Sequence, residues 1–150
     1  MKFKCPCKGE VIRIEDFPDE IIADKAMGDG FGVNLSGDKI VAPFNGEVKV
    51  LYPTGHALCL ESEDGIQIMI HIGVDSFKIK GLNKPEVSVG DKVKTGDTLI
   101  TTNVAKLKKL TGNCATAVVF LSGEIVELLK INETIEYLDE NFIDIRKSND

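Results

Sequence analysis

Along most of the chain, short runs rich in Val, Ile and Leu are separated by clusters of Gly, Asp, Asn and Pro. That is the pattern of short strands joined by tight turns. The strands it predicts are Gly9–Ile14, Gly32–Leu35, Lys39–Ala42, Gly46–Tyr52, Ala57–Glu61, Ile66–His71, Thr98–Thr102, Ala115–Leu121 and Phe142–Arg146. Ser36-Gly37-Asp38, Asn45-Gly46, Glu63-Asp64-Gly65 and Thr95-Gly96-Asp97 supply turns between them. Two short helices are expected, Val104–Leu110 behind the N-cap Asn103 and Glu124–Lys130 behind Gly123. The fold class expected is all-β: an antiparallel β-sandwich or flattened barrel, with one or two short helices.

Two internal echoes suggest an old duplication, a hybrid motif used twice. Cys5-Pro6-Cys7-Lys8-Gly9-Glu10-Val11 and Ala42-Pro43-Phe44-Asn45-Gly46-Glu47-Val48 share one pattern, and Gly37-Asp38-Lys39-Ile40 matches Gly90-Asp91-Lys92-Val93. The matches do not continue at a fixed period, which excludes a solenoid.

One expected hairpin carries the chain's only two histidines. Joining Ala57–Glu61 to Ile66–His71 through a four-residue loop, Ser62 to Gly65, sets His56 opposite His71. Leu58 then faces Met69 and Leu60 faces Gln67, with Ala57, Cys59, Ile66, Ile68 and Ile70 on the other side. Directly opposed Cβ atoms lie about 4.5–5.5 Å apart, so two ring nitrogens can converge on one small group. A register slip of one residue would send the rings to opposite faces. Thr54, two residues before His56, is placed to orient that ring, and Gly73 allows close approach beyond His71.

Composition narrows the chemistry. At 150 residues, one domain spanning 1–150 is the simplest organisation. Hydrophobic residues at 43% and charged residues at 28% are ordinary for a soluble globular protein. A net charge of −6 argues against nucleic acid and suits basic protein partners. No apolar run approaches the roughly 18 residues of a membrane span, so no direct membrane insertion is expected. The N-terminal stretch lacks an apolar signal core, which points to a cytoplasmic location. Cys5, Cys7, Cys59 and Cys114 match no zinc spacing and are expected as free thiols. Cys59 and Cys114 read as small core residues; Cys5-Pro6-Cys7 has a soft-metal or redox role as an alternative.

Histidine is the side chain that titrates near neutrality, so the pair has several possible uses. One use is local: each ring caps its strand and satisfies a nearby hydrogen bond. Zinc would need a third ligand from Asp75, Asp29 or a cysteine. Phosphoryl transfer needs no further group: one neutral imidazole attacks in line, and its neighbour donates an N–H to a phosphoryl oxygen.

The chain resembles the glucose-type enzyme IIA of the bacterial phosphoenolpyruvate-dependent sugar phosphotransferase system. The resemblance is carried by Met27-Gly28-Asp29-Gly30-Phe31-Gly32-Val33, Val41-Ala42-Pro43-Phe44-Asn45-Gly46-Glu47-Val48, Thr54-Gly55-His56-Ala57, His71-Ile72-Gly73-Val74-Asp75 and Gly90-Asp91-Lys92-Val93-Lys94-Thr95-Gly96-Asp97. It runs from about Cys5 to Lys147, and implies a single enzyme IIA domain. It further implies a phosphoryl carrier in sugar uptake. His71 would be phosphorylated at Nε2, His56 would bind the phosphoryl group, and Thr54 would support His56. The implied donor is the phosphocarrier protein HPr, and the implied acceptor a cysteine of a sugar-specific enzyme IIB domain of an enzyme IIB/IIC sugar transporter. Asp29 and Asp75 would meet basic partner side chains, with turn-capping as their alternative. Phe31, Val33 and Met69 would form an apolar docking patch, with core packing as theirs. No cofactor is implied beyond a transient phosphohistidine.

The chain departs from the family at Leu82-Asn83-Lys84-Pro85-Glu86-Val87, at Thr101-Thr102-Asn103-Val104 and at its Cys-Pro-Cys start, none of which touches the histidines. The competing readings are a zinc-dependent hydrolase on a similar sandwich, a lipoyl- or biotinyl-type carrier module, and a non-catalytic binding protein. The first lacks its His-x-His pair here, and the second its lysine flanked by methionines.

Overall fold

Ala-Thr-Ala-Val-Val-Phe, residues Ala115–Phe120, has no polar face, and all six residues are buried. A strand that is apolar on both sides belongs in the interior of a layered sheet. A computed structural model describes residues 2–148 and places this segment there; residues 1, 149 and 150, at the ends of the expected 1–150 domain, lie outside the described residues.

The strands in chain order are β1 (Gly9–Arg13), β2 (Gly30–Leu35), β3 (Lys39–Val41), β4 (Gly46–Leu51), β5 (Ala57–Ser62), β6 (Gln67–Ile72), β7 (Asn83–Pro85), β8 (Lys92–Val93), β9 (Thr98–Thr102), β10 (Ala115–Phe120), β11 (Glu124–Leu128), β12 (Thr134–Ile135) and β13 (Ile143–Lys147). The helices are α1 (Glu20–Ala23) and α2 (Val104–Thr111), with 3-10 turns at Ile14–Asp16 and Ser76–Lys78. An eight-stranded antiparallel sheet runs β12-β1-β2-β10-β6-β5-β4-β8. The three-stranded sheet β3-β9-β7 and the pair β11-β13 complete the β structure. The expected antiparallel β-sandwich is therefore the observed fold.

The inner face of the large sheet carries Phe31, Val33, Leu58, Leu60, Ile68, Ile70, Val118 and Phe120. These pack against Ile40, Leu99, Ile100, Phe142, Ile143 and Ile145 of the smaller sheets. A second cluster lies on the outer face, where Ile14, Phe17 and Ile22 cover Met69, Ala115, Ala117 and Val119. Asp19 starts the covering turn: its carboxylate accepts the Ile21 and Ile22 N–H groups at 3.0 and 3.3 Å. That cap lets a helix of four residues hold Ile22 on the sheet.

Glu124–Lys130 is not a helix. Glu124–Leu128 is strand β11, paired residue by residue with β13 from Glu124↔Lys147 to Leu128↔Ile143. The segment's Ile125 and Leu128 share a helical spacing, but a local period cannot reveal a partner strand arriving from the chain's end. The expected helix Val104–Leu110 is present and runs to Thr111, capped by the Asn103 side chain. The short strands β7, β8 and β12 and helix α1 were not legible. Among the described residues no helix is long and apolar enough to cross a membrane.

The Cys5-Pro6-Cys7 segment is packing. Both thiols are fully buried and unpaired. Burial pushes Cys5 up to about 12 and Cys7 well above the ordinary thiol range. Such thiols stay protonated, which disfavours thiolate reactivity at this segment. Cys59, expected in the core, is only half-buried on the outer face.

Candidate active site

The β5–β6 hairpin is shifted by one residue from the expected register. Ala57 pairs with His71, Leu58 with Ile70, Cys59 with Met69 and Leu60 with Ile68. The turn causes this. Ser62 N–H donates to the Ile66 carbonyl at 2.8 Å and Gly65 N–H to Ser62 at 3.1 Å, leaving three loop residues rather than four. Gly65 has φ +92°, the left-handed position that closes three-residue hairpin loops.

In that register strict alternation would turn His56 to the inner face, with Leu58. His56 escapes because it lies before β5, in the β4–β5 loop Pro53-Thr54-Gly55-His56. Tyr52 N–H donates to the Ala57 carbonyl at 3.0 Å and Gly55 N–H to Tyr52 at 2.8 Å, closing that loop. The His56 carbonyl accepts the Ile72 N–H at 2.7 Å, which locks the loop beside the end of β6. The rings meet after all, with centroids 5.3 Å apart and planes inclined at 78°. The turn, not strand alternation, brings them together.

His71 stands in a row of small residues. Gly32 pairs with Ala117, Ala117 with His71, and His71 with Ala57. Residues opposed across a sheet share a face. Gly32, Ala117 and Ala57 therefore put little side-chain bulk beside the imidazole on the outer face.

His71 Nδ1 lies 3.0 Å from the Gly73 carbonyl. A carbonyl only accepts, so Nδ1 carries the hydrogen and Nε2 keeps its lone pair. His56 Nδ1 is hydrogen-bonded to the Thr54 hydroxyl. Tyr52 and Phe77, both exposed, flank the His56 ring with centroids 5.1 and 5.7 Å away. Burial lowers the His56 pKa from its ordinary 6.5, and the neighbouring His71 lowers it further. Burial also lowers His71, while the Gly73 carbonyl and the Asp19 carboxylate pull it partly back. Both rings are neutral at pH 7. A neutral imidazole with a free Nε2, beside a second ring whose Nδ1 is engaged, is equipped for nucleophilic attack.

The other expected site residues separate. Asp75 has φ +58°, caps nothing, and its carboxylate is 63% exposed, with Lys78 at 3.9 Å. Asp29 is only 16% exposed. Its oxygens accept Gly30 N–H and Val126 N–H, each at 2.9 Å, and Lys25 sits at 3.6 Å. Counting strands and residues sets Asp29 roughly 14 Å from His71 along the sheet. Asp29 thus ties β2 to β11. Asp29→Ala should lower stability by about 1–3 kcal/mol in urea melts. Phosphoryl acceptance by the folded variant should stay within twofold of the original; a tenfold loss at unchanged stability would restore a docking role.

The proposed docking patch needs correction. Phe31 and Val33 are fully buried in the main core. They sit one residue either side of Gly32, so they face away from His71. Met69 shares the face of His71 but is 6% exposed, covered by the turn that carries Phe17 and Ile22. The exposed apolar side chains against His56 are Tyr52 and Phe77; Ile21, on α1, is exposed as well. Asp19 was also missed, although an Asp just before Glu-Ile-Ile is a helix-start signal.

Among the described residues no group of three or more His, Cys, Asp or Glu side chains is gathered to hold a metal. The site is a pair of imidazoles on the partly covered outer face of a β-sandwich. The comparisons give the family: the model described as phosphoenolpyruvate-dependent sugar phosphotransferase system, EIIA 1, matches residues 1–126, and the chain belongs to that family. Among solved structures, a chain described as glucose permease IIA from Mycoplasma capricolum is similar over 92% of this chain and 93% of that one, with a TM-score of 0.81 and 26% identity. The protein is a phosphotransferase component, a carrier of phosphoryl groups in sugar uptake by that system. The zinc-hydrolase and binding-module readings are not favoured.

Proposed function

We propose that His71 Nε2 accepts the phosphoryl group from phospho-HPr and passes it to a cysteine of a sugar-specific enzyme IIB. The observation that carries this is the bond from His71 Nδ1 to the Gly73 carbonyl, which leaves Nε2 as the free nucleophile. Nε2 attacks phosphorus in line, and the bond from phosphorus to the donor nitrogen breaks. In delivery Nε2 becomes the leaving group: the acceptor thiolate attacks phosphorus, and the electron pair of the N–P bond returns to Nε2.

His56 is the second catalytic residue. With the Thr54 hydroxyl donating to Nδ1, His56 carries its hydrogen on Nε2 and points it at a phosphoryl oxygen. A hydroxyl can donate or accept, so this arrangement is the one the proposal requires of Thr54. The accumulated phosphoryl charge also favours protonation of His56, offsetting the depression caused by burial.

Partners dock around this spot. Tyr52, Phe77 and Ile21 supply exposed apolar contact, and the Asp75 carboxylate is available to basic side chains. An apolar centre with a charged rim is the usual anatomy of a transient interface. The reactions take place in the cytoplasm, at the inner side of a membrane transporter.

The test is to charge the full-length protein from phosphoenolpyruvate with enzyme I and HPr, and to map the label. A single label on the His71 peptide, labile to acid and stable to base, is expected. A hydroxylamine-sensitive acyl phosphate would place the chemistry on a carboxylate and overturn the proposal. As the pH falls, the acceptance rate should drop as Nε2 takes up a proton, with a midpoint more acidic than that of an ordinary imidazole because burial lowers the His71 pKa.

A further inference from the structure

The loop that orients His71 is itself held by a residue outside the site. Gly73 has φ +70°, a region open to glycine at no steric cost. Glycine has no Cβ to restrain its own peptide, so the direction of its carbonyl depends on what packs against it. A Cβ at Gly73 would lie 2.9 Å from Leu107 Cδ1, 3.4 Å from Leu107 Cδ2 and 3.2 Å from Ser76 Cβ. Leu107 is completely buried, the one buried residue of α2. The helix is anchored at its start, where the Asn103 carboxamide accepts Lys106 N–H at 3.0 Å and Asn103 N–H donates to Leu82 at 3.2 Å. From the other side, the buried Ser76 hydroxyl donates to the Ile72 carbonyl.

We propose that Leu107 is a positioning residue: its side chain fills the space behind Gly73, aims the Gly73 carbonyl at His71 Nδ1, and so keeps Nε2 free. The physical argument is one of competition. A neutral imidazole in water favours the hydrogen on Nε2, the opposite tautomer. The Gly73 carbonyl reverses that preference only while it stays within hydrogen-bond reach. Removing Leu107 opens a cavity against the one residue whose backbone can most easily turn to fill it. Hydrogen-bond partners that orient metal-ligating imidazoles from behind are worth roughly 10- to 100-fold in affinity or activity, which sets the scale expected here.

The kinetic part of this inference rests on His71 being the phosphoryl acceptor; the tautomer part does not. The test uses full-length protein labelled with nitrogen-15 in histidine. The tautomer of His71 is read by long-range nitrogen–proton correlation at pH 8, where both rings are neutral. Leu107→Ala should reduce the Nδ1–H form of His71 and slow phosphoryl acceptance roughly tenfold. Leu107→Met, which keeps the volume, should restore both. Ile145→Ala removes an equally buried side chain from the distant strand β13 and should change neither, which controls for general loss of stability. Leu107→Val replaces Leu107→Ala if the latter does not fold. A folded Leu107 variant in which His71 keeps its Nδ1–H form in full would overturn the proposal. A tautomer shift without any change in acceptance would uphold the positioning role and count instead against His71 as the acceptor.

Discussion

His71→Ala should accept no phosphoryl group from phosphoenolpyruvate, enzyme I and HPr, and should remain folded. The loss is complete because the substitution removes the atom that forms the covalent bond. His56 cannot stand in for it. Its Nδ1 is bonded to Thr54, and on the proposed tautomer its Nε2 carries a hydrogen rather than a lone pair. The fold should tolerate the change, because His71 sits among Gly32, Ala117 and Ala57 on a half-covered face. The bond to the Gly73 carbonyl is lost, a cost of about 1 kcal/mol. The check is radiolabel transfer beside a thermal melt. Full labelling of a folded His71→Ala variant would end the assignment.

His56→Gln should separate the two halves of the reaction. Charging by phospho-HPr is expected to persist within a few-fold, since Nε2 of His71 is untouched and the donor brings its own groups to the transfer. Delivery to enzyme IIB is expected to fall by on the order of 10²–10³, the usual loss when a donor aimed at developing charge is removed. The glutamine amide is neutral and stays so. The imidazole can gain a proton as phosphoryl charge accumulates beside it, at a centroid separation of 5.3 Å. Rapid-quench measurement of both half-reactions distinguishes the cases. Equal rates for variant and original in delivery would remove His56 from the mechanism and leave it as a support for the β4–β5 loop.

Both expectations depend on a meeting of side chains that strand alternation alone gets wrong. The histidine pair was legible because two histidines near the ends of adjacent apolar segments can hardly avoid one another in an antiparallel sheet. The register was not legible, because it turns on one residue of loop length at Gly65. The two errors compensate: the strand slips by one, and His56, freed from the strand, turns back across it. Phe31 and Val33 failed as surface residues for a related reason. Alternation says that they share a face but not which face, and the pairing Gly32↔Ala117↔His71 decides it.

The amino-acid sequence determined the strand-dominated class, most strand positions, the one well-formed helix and the meeting of the two histidines, because each is written in local periodicity, turn chemistry or rarity. The tertiary structure decided which faces are buried, that Glu124–Leu128 pairs as a strand, that Asp29 braces the sheet while Asp75 faces solvent, and that Leu107 stands behind Gly73. Those outcomes depend on contacts between segments far apart in the chain, where the free energy of burial outweighs local preference and no nearby residue records the result.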